Sequence, residues 1–148
     1  MSEDLFGSLA FALPETAELF ECVENRRLPA GAVGLPAAGK ALVISALLKK
    51  AGAGALVLVP DRASARNLAA DLDFFGVKTE IFPEKVFSFR TDVPRSRDYE
   101  RERLRILCGL GRDEKTVVIA TPAAAAGFTV PPGELSARTL FCKVGGTA

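Results

Sequence analysis

The sequence predicts an α/β domain in which a mainly parallel sheet carries helices on both faces. Two short runs, Ala55-Leu-Val-Leu-Val59 and Thr116-Val-Val-Ile-Ala120, are apolar with almost no interruption. That is the pattern of parallel strands buried on both faces. Segments with helical spacing of apolar residues alternate with these runs, which calls for right-handed crossovers between neighbouring strands. A glycine-rich turn, Gly34-Leu-Pro-Ala-Ala-Gly-Lys-Ala41, stands ahead of a strongly apolar helix.

In chain order, residues 3–12 and 15–24 are expected as two short helices divided by Pro14. Ala17, Leu19, Phe20 and Val23 form the apolar stripe of the second, which packs it against the body of the domain. A short strand is expected around Gly31–Val33, leading into the turn. Ala41 to Leu48 is apolar nearly all round, and Lys49, Lys50 and Gly52 close that helix. Ala55–Val59 follows as a buried strand. Asp61 is a good cap for the next helix, whose inner face is Ala65, Leu68, Ala69, Leu72 and Phe75, with Gly76 as its stop.

Val77 to Phe82 alternates apolar and charged residues, as a strand near the sheet edge does. Residues 83–98 read as an irregular loop. Tyr99 to Leu110 is expected as a helix with Glu100–Arg103 and Glu102–Arg105 pairs and an inner face of Tyr99, Ile106, Leu107 and Leu110. After the strand at Thr116–Ala120, Thr121-Pro122 opens a short Ala-rich helix, which Pro131-Pro132-Gly133 breaks. Thr139 to Val144 is expected as a last strand, and the abrupt Gly145-Gly-Thr-Ala148 end reads as a truncation. The expected division is an N-terminal helical extension, 1–27, and one lobe, 28–148.

The 148 residues carry a formal net charge of +1, so no global field draws the chain to nucleic acid or a membrane. Locally the charge is uneven. Residues 1–24 hold six acids and no Lys or Arg, and residues 90–105 hold six Arg interleaved with four acids. The latter reads as a solvated, salt-bridged face, with a nucleic-acid patch as the alternative. Histidine is absent and the three cysteines, Cys22, Cys108 and Cys142, are far apart. Within these residues that excludes a Cys/His zinc site, a Cys-His or Ser-His nucleophile pair and a His general base. No apolar run approaches the roughly 20 residues that span a bilayer, and the acidic start is unlike a signal peptide. The expectation is no membrane, and the cytoplasm by default.

The turn matches the P-loop pattern Gly-x4-Gly-Lys-[Ser/Thr] through Lys40 and fails at Ala41. In a working loop the backbone amides cradle phosphates, the Lys sits against the terminal phosphates and the hydroxyl helps hold Mg²⁺. Gly34, Gly39, Lys40 and Ala41 are therefore a degenerate phosphate loop. Two further markers, Val59-Pro-Asp-Arg62 and Ala120-Thr-Pro122, stand at carboxyl ends of expected strands, where open α/β sheets bind ligands. An acidic pair at a strand's carboxyl end would be needed to hold Mg²⁺. Asp113-Glu114 lies before its strand, at the wrong end, and reads as a solvated turn pair.

The ordered set of loop, "VLVP-x-R" and "TP" resembles the first lobe of a helicase-type motor, a three-layer P-loop/RecA-like parallel sheet. There the last two segments touch the nucleic-acid backbone, which by resemblance implicates Arg62 and Thr121. The wording "ALVLVPDRASARNLAADLDFFGVKTEIFPEKVF", the "ERERLRIL" helix, "TVVIATPAAAA" and "LFCKVGG" is more specific. Over roughly residues 5–145 it resembles the N-terminal, UvrB-like region of the bacterial transcription-repair coupling factor. That resemblance implies a degenerate helicase lobe with no hydrolysis and no catalytic residue, no metal and no resident cofactor. It implies a scaffold role in nucleotide excision repair, recruiting the UvrA excinuclease subunit to stalled RNA polymerase within the full-length protein. The surface for UvrA would lie in a small inserted domain starting near Lys143. DNA contact by these residues alone is doubtful on this reading. The alternative is an NTP-binding domain with weak ATP affinity through the loop amides and Lys40.

Overall fold

The computed structural model describes residues 14–84, 97–110 and 115–140. It is a mixed α/β structure with a three-stranded parallel sheet. The elements are α1 (Pro14–Glu24), α2 (Ala37–Ala51), β1 (Ala55–Leu58), α3 (Arg62–Phe74), β2 (Thr79–Ile81), α4 (Asp98–Leu110), β3 (Val117–Ala120), α5 (Pro122–Ala125) and α6 (Pro132–Arg138). The strand order is β1-β3-β2, so the last strand in sequence lies in the middle. Ala55 and Thr79 both align with Val117, which sets the three amino ends level.

Alternation along the strands sends side chains to two cores. Ile119 and Val57 face Ala41 and Ile44 of α2 and Ala65, Leu68 and Leu72 of α3. Val118 and Ala120 face Ile106 and Leu107 of α4, Ala124 of α5 and Phe82. β3, flanked on both sides and covered on both faces, is buried at every position. β1 is different. Leu56 and Leu58 are 62% and 57% exposed, correcting the expectation of burial on both faces. α4 covers the β3 side of that face and leaves β1 beside an open apolar cavity of about 430 Å³, lined in part by Leu56, Leu107 and Leu110.

Local signals behave as their chemistry requires. Gly52, at φ +61°, ends α2 and its N–H donates to the Leu48 carbonyl. Gly76 takes φ +75° after α3. α1 seats Phe20 on Ala46, Leu42 and Leu47 of α2, so the extension packs on the lobe as expected. Lys50 and Glu24 pair at 2.6 Å beside that contact.

Several expectations are corrected. No strand forms at Gly31–Val33. Residues 27–36 are irregular and Val33 is 98% exposed, because Pro29, Gly31, Gly34 and Pro36 interrupt any strand and no partner strand lies alongside among the described residues. Pro132 starts α6 instead of only ending a helix, a position proline favours. Thr139 and Leu140 are irregular, and the rest of the expected last strand lies outside the described residues. So do the expected helix at 3–12, most of the loop at 83–98, Asp113-Glu114 and Cys142.

The Glu100–Arg103 pair does not form, because Arg103 points inward. At 6% exposure its guanidinium donates to the carbonyls of Pro83 (3.1 Å), Ala124 (3.1 Å) and Gly127 (3.3 Å). It lies 4.1 Å from the Phe82 ring centroid and 5.5 Å from that of Tyr99. The expected Glu102–Arg105 pair does form, and Arg105 also forks onto Glu80 of β2. The hydrogen bonds from Arg105 hold the Glu102 carboxyl below its ordinary range.

Arg103→Met leaves three carbonyls without their donor and should cost about 3 kcal/mol in urea denaturation. Arg103→Lys keeps the charge but not the planar fork and should recover only part of the loss.

Candidate functional site

The parallel sheet sends the carboxyl ends of all three strands to one edge. β1 runs into Asp61 and Arg62, β3 into Thr121, and β2 into Phe82-Pro83-Glu84. Val59 N–H donates to the Ala120 carbonyl (3.0 Å) and Phe82 N–H to the Ile119 carbonyl (2.8 Å), so these exits stay in register. Ala41, in the second turn of α2, packs with Ala65 and Ile119. That places the start of α2 beside the start of α3 at the same edge. The structure thus brings Gly34–Ala41, Arg62 and Thr121 to the edge where the sequence expects them together. No bond joins them among the described residues.

The loop itself differs from a phosphate cradle. α2 begins at Ala37 with Pro36 in the capping position, so Gly39 and Lys40 already belong to its first turn. Lys40 N–H donates to the Pro36 carbonyl at 2.9 Å and is not free for a ligand. A Cβ on Gly39 would sit 3.1 Å from Pro36 Cδ, so glycine here lets the proline ring close against the helix. Gly34 has φ +82° and open space around it, so it serves the turn. Ala41 is 0% exposed and faces the apolar cluster, not the mouth of the loop. Lys40 is exposed and makes no ion pair among the described residues.

What the loop retains is a bare helix start. Proline offers no side-chain cap, and the N–H groups of the first turn carry the positive end of the helix dipole. Next to it α3 is capped differently. Ser64 N–H donates to Asp61 Oδ1 at 2.7 Å. That hydrogen bond, followed by the Ser64 hydroxyl's, lowers the Asp61 carboxyl below its ordinary value. Arg62, the first residue of α3, is exposed.

Thr121 is 6% exposed and committed to the interior. Its hydroxyl donates to Glu84 Oε2 at 2.9 Å and accepts from Ala124 N–H at 3.2 Å, capping α5. Sequence reasoning missed Glu84, which no motif marks. It is placed by Pro83, whose carbonyl Arg103 holds. Among the described residues no group of three or more His, Cys, Asp or Glu side chains could hold a metal ion, and no helix is long and apolar enough to cross a membrane. Cys22 and Cys108 are free thiols. Comparison of the chain with family models, curated proteins and solved structures finds no match in any of the three.

Asp61→Ala should lower the thermal midpoint at neutral pH by removing the cap of α3. Because the folded carboxyl titrates below the unfolded one, the contribution is complete above the unfolded pKa of about 4. It fades as pH falls through the folded pKa. Thermal melts from pH 7 to 2.5 should show the gap between wild type and variant closing in acid.

Proposed function

We propose that the chain is a non-catalytic P-loop/RecA-like lobe of the transcription-repair coupling-factor type, a scaffold within nucleotide excision repair and not a nucleotide hydrolase. The observation that carries this reading is the register of α2. The helix starts at Ala37, the Lys40 amide is spent inside it, and the position that would offer a metal-binding hydroxyl is a buried alanine. Phosphoryl transfer needs amides, cation and metal aimed at one point. Here one amide, that of Lys40, is diverted, and the residue at the metal-hydroxyl position faces a core. Recruitment of the UvrA excinuclease subunit to stalled RNA polymerase belongs, on this reading, to the longer protein. Thr121, held by Glu84, serves the fold instead of a nucleic-acid backbone.

A second reading rests on the uncapped start of α2. The free N–H groups of its first turn, with Lys40 beside them, favour weak binding of an anion such as the ATP phosphates without help from Mg²⁺.

Calorimetric titration with ATP, with Mg²⁺ and with a chelator, separates the two. The scaffold reading expects dissociation constants weaker than millimolar in both and no phosphate release. Submillimolar affinity that needs Mg²⁺ would overturn it, whereas Mg²⁺-independent binding abolished by Lys40→Ala would establish the second reading. Ala41→Ser should not create Mg²⁺ dependence, because its side chain enters the apolar cluster. The coupling-factor identity has its own test in the gene: an open reading frame that closes at codon 148 would sink it.

A further inference from the structure

β1 is paired on one side only. β3 lies along it there, and among the described residues no strand lies along the other side. The Val59 N–H donates to the Ala120 carbonyl, so by the two-residue period of a strand the main-chain groups of Leu56 and Leu58 point to the open side. The Leu56 side chain lines the apolar cavity of about 430 Å³, with Leu107 and Leu110 of α4 and Thr129 of the segment between α5 and α6. Ala55–Val59 carries no charged side chain and no proline, the devices that keep another strand off an edge.

The chain beyond β3 is led back to this place. Ala124 of α5 packs with Val118 and Ile106, so the chain leaves β3 on the α4 side of the sheet. Thr129 then reaches the cavity. Just after α6, Thr139 Oγ1 lies 3.7 Å from Cys108 Sγ, in the last turn of α4. That turn stands at the amino edge, because Leu110 shares the cavity with Gly54 and Thr116, which precede β1 and β3. A strand that follows Thr139 along the sheet therefore runs parallel to β1.

Handedness selects the side. α3, on the Ile119 face, carries the chain from β1 across β3 to β2, and α4, on the Val118 face, carries it back from β2 to β3. A crossover of the same hand that leaves β3 on the α4 side leads past β1 and not past β2.

We propose that the open side of β1 is the seat of the chain's own residues 141–144, which pair with it as a fourth, parallel strand and cover the apolar cavity. The stretch Phe141-Cys-Lys-Val144 is apolar but for Lys143 and has the length of β1, about 13 Å. A parallel strand joined by a crossover on the α4 side buries Leu56 and Leu58, which α4 leaves exposed.

The test is nuclear magnetic resonance on the full 148-residue chain. Backbone contacts should appear between residues 55–59 and 141–144, and the Leu56 and Leu58 amides should be protected from hydrogen exchange. Of Phe141→Pro and Cys142→Pro, one removes a donor that faces β1, and it should speed exchange of those two amides about tenfold or more while the Val57 amide, which faces β3, changes less. Cys142→Ser should keep the protection. The direct contacts need no variant, so the test stands even where a proline variant fails to fold. Absence of contacts between the two segments overturns the proposal. So does protection of Leu56 and Leu58 that rises with protein concentration and survives both proline variants, an outcome that gives the edge to a second copy of the chain.

Discussion

The buried guanidinium of Arg103 is the constraint on which one half of the fold depends. An ionised group taken out of water is costly unless its donors are satisfied. Here they are met by main-chain carbonyls of Pro83, Ala124 and Gly127, with no carboxylate involved among the described residues. Those carbonyls belong to three segments: the exit of β2, the end of α5 and the turn after it. The faces of Phe82 and Tyr99 enclose the same cation. One side chain on α4 therefore locks that helix, two loop exits and α5 to the sheet. Glu84 follows Pro83, so the hydrogen bond that fixes Thr121 depends on it as well.

The parallel sheet makes the two edges electrostatically unlike. At the carboxyl edge the helices begin, and the positive ends of their dipoles stand there together with Lys40 of α2 and Arg62 of α3. At the amino edge the helices end, and lysines do the opposite work. Lys49 and Lys50 occupy the last turn of α2, where cations are favoured.

The turn at Gly34–Ala41 shows that P-loop spacing in a sequence does not by itself fix P-loop geometry. Gly34, Gly39 and Lys40 stand at P-loop spacing, yet helix α2 has begun before the second glycine. Two causes are local. Pro36, extended at φ −64° and ψ 166°, stands in the capping position directly ahead of Ala37, and among the described residues no strand behind the turn holds the loop open. A third is tertiary: Ala41 completes the contact between α2, α3 and β3. An alanine at that position lets the helices approach, and the same approach turns the position inward.

Much of this was legible from residue pattern alone. The apolar run at Thr116–Ala120 marked the central strand, Asp61 and Gly52 marked helix ends, and the alternation of Val77 to Phe82 marked an edge strand. Each depends on chemistry local to a few residues. The parallel order also placed Arg62, Thr121 and the loop at one edge, because every strand exit in such a sheet lies on the same side. The tertiary structure alone decided the rest. Ala55–Val59 looks as buried as the central strand, but its exposure depends on which neighbours cover it. Arg103 has the spacing of a surface ion pair, and only the packing of α4 on Phe82 turns it inward. Lys49, Lys78 and Lys115 are spread over 67 positions and share no motif. They line one cavity because the chain crosses the sheet in one direction three times, which no single stretch of sequence records.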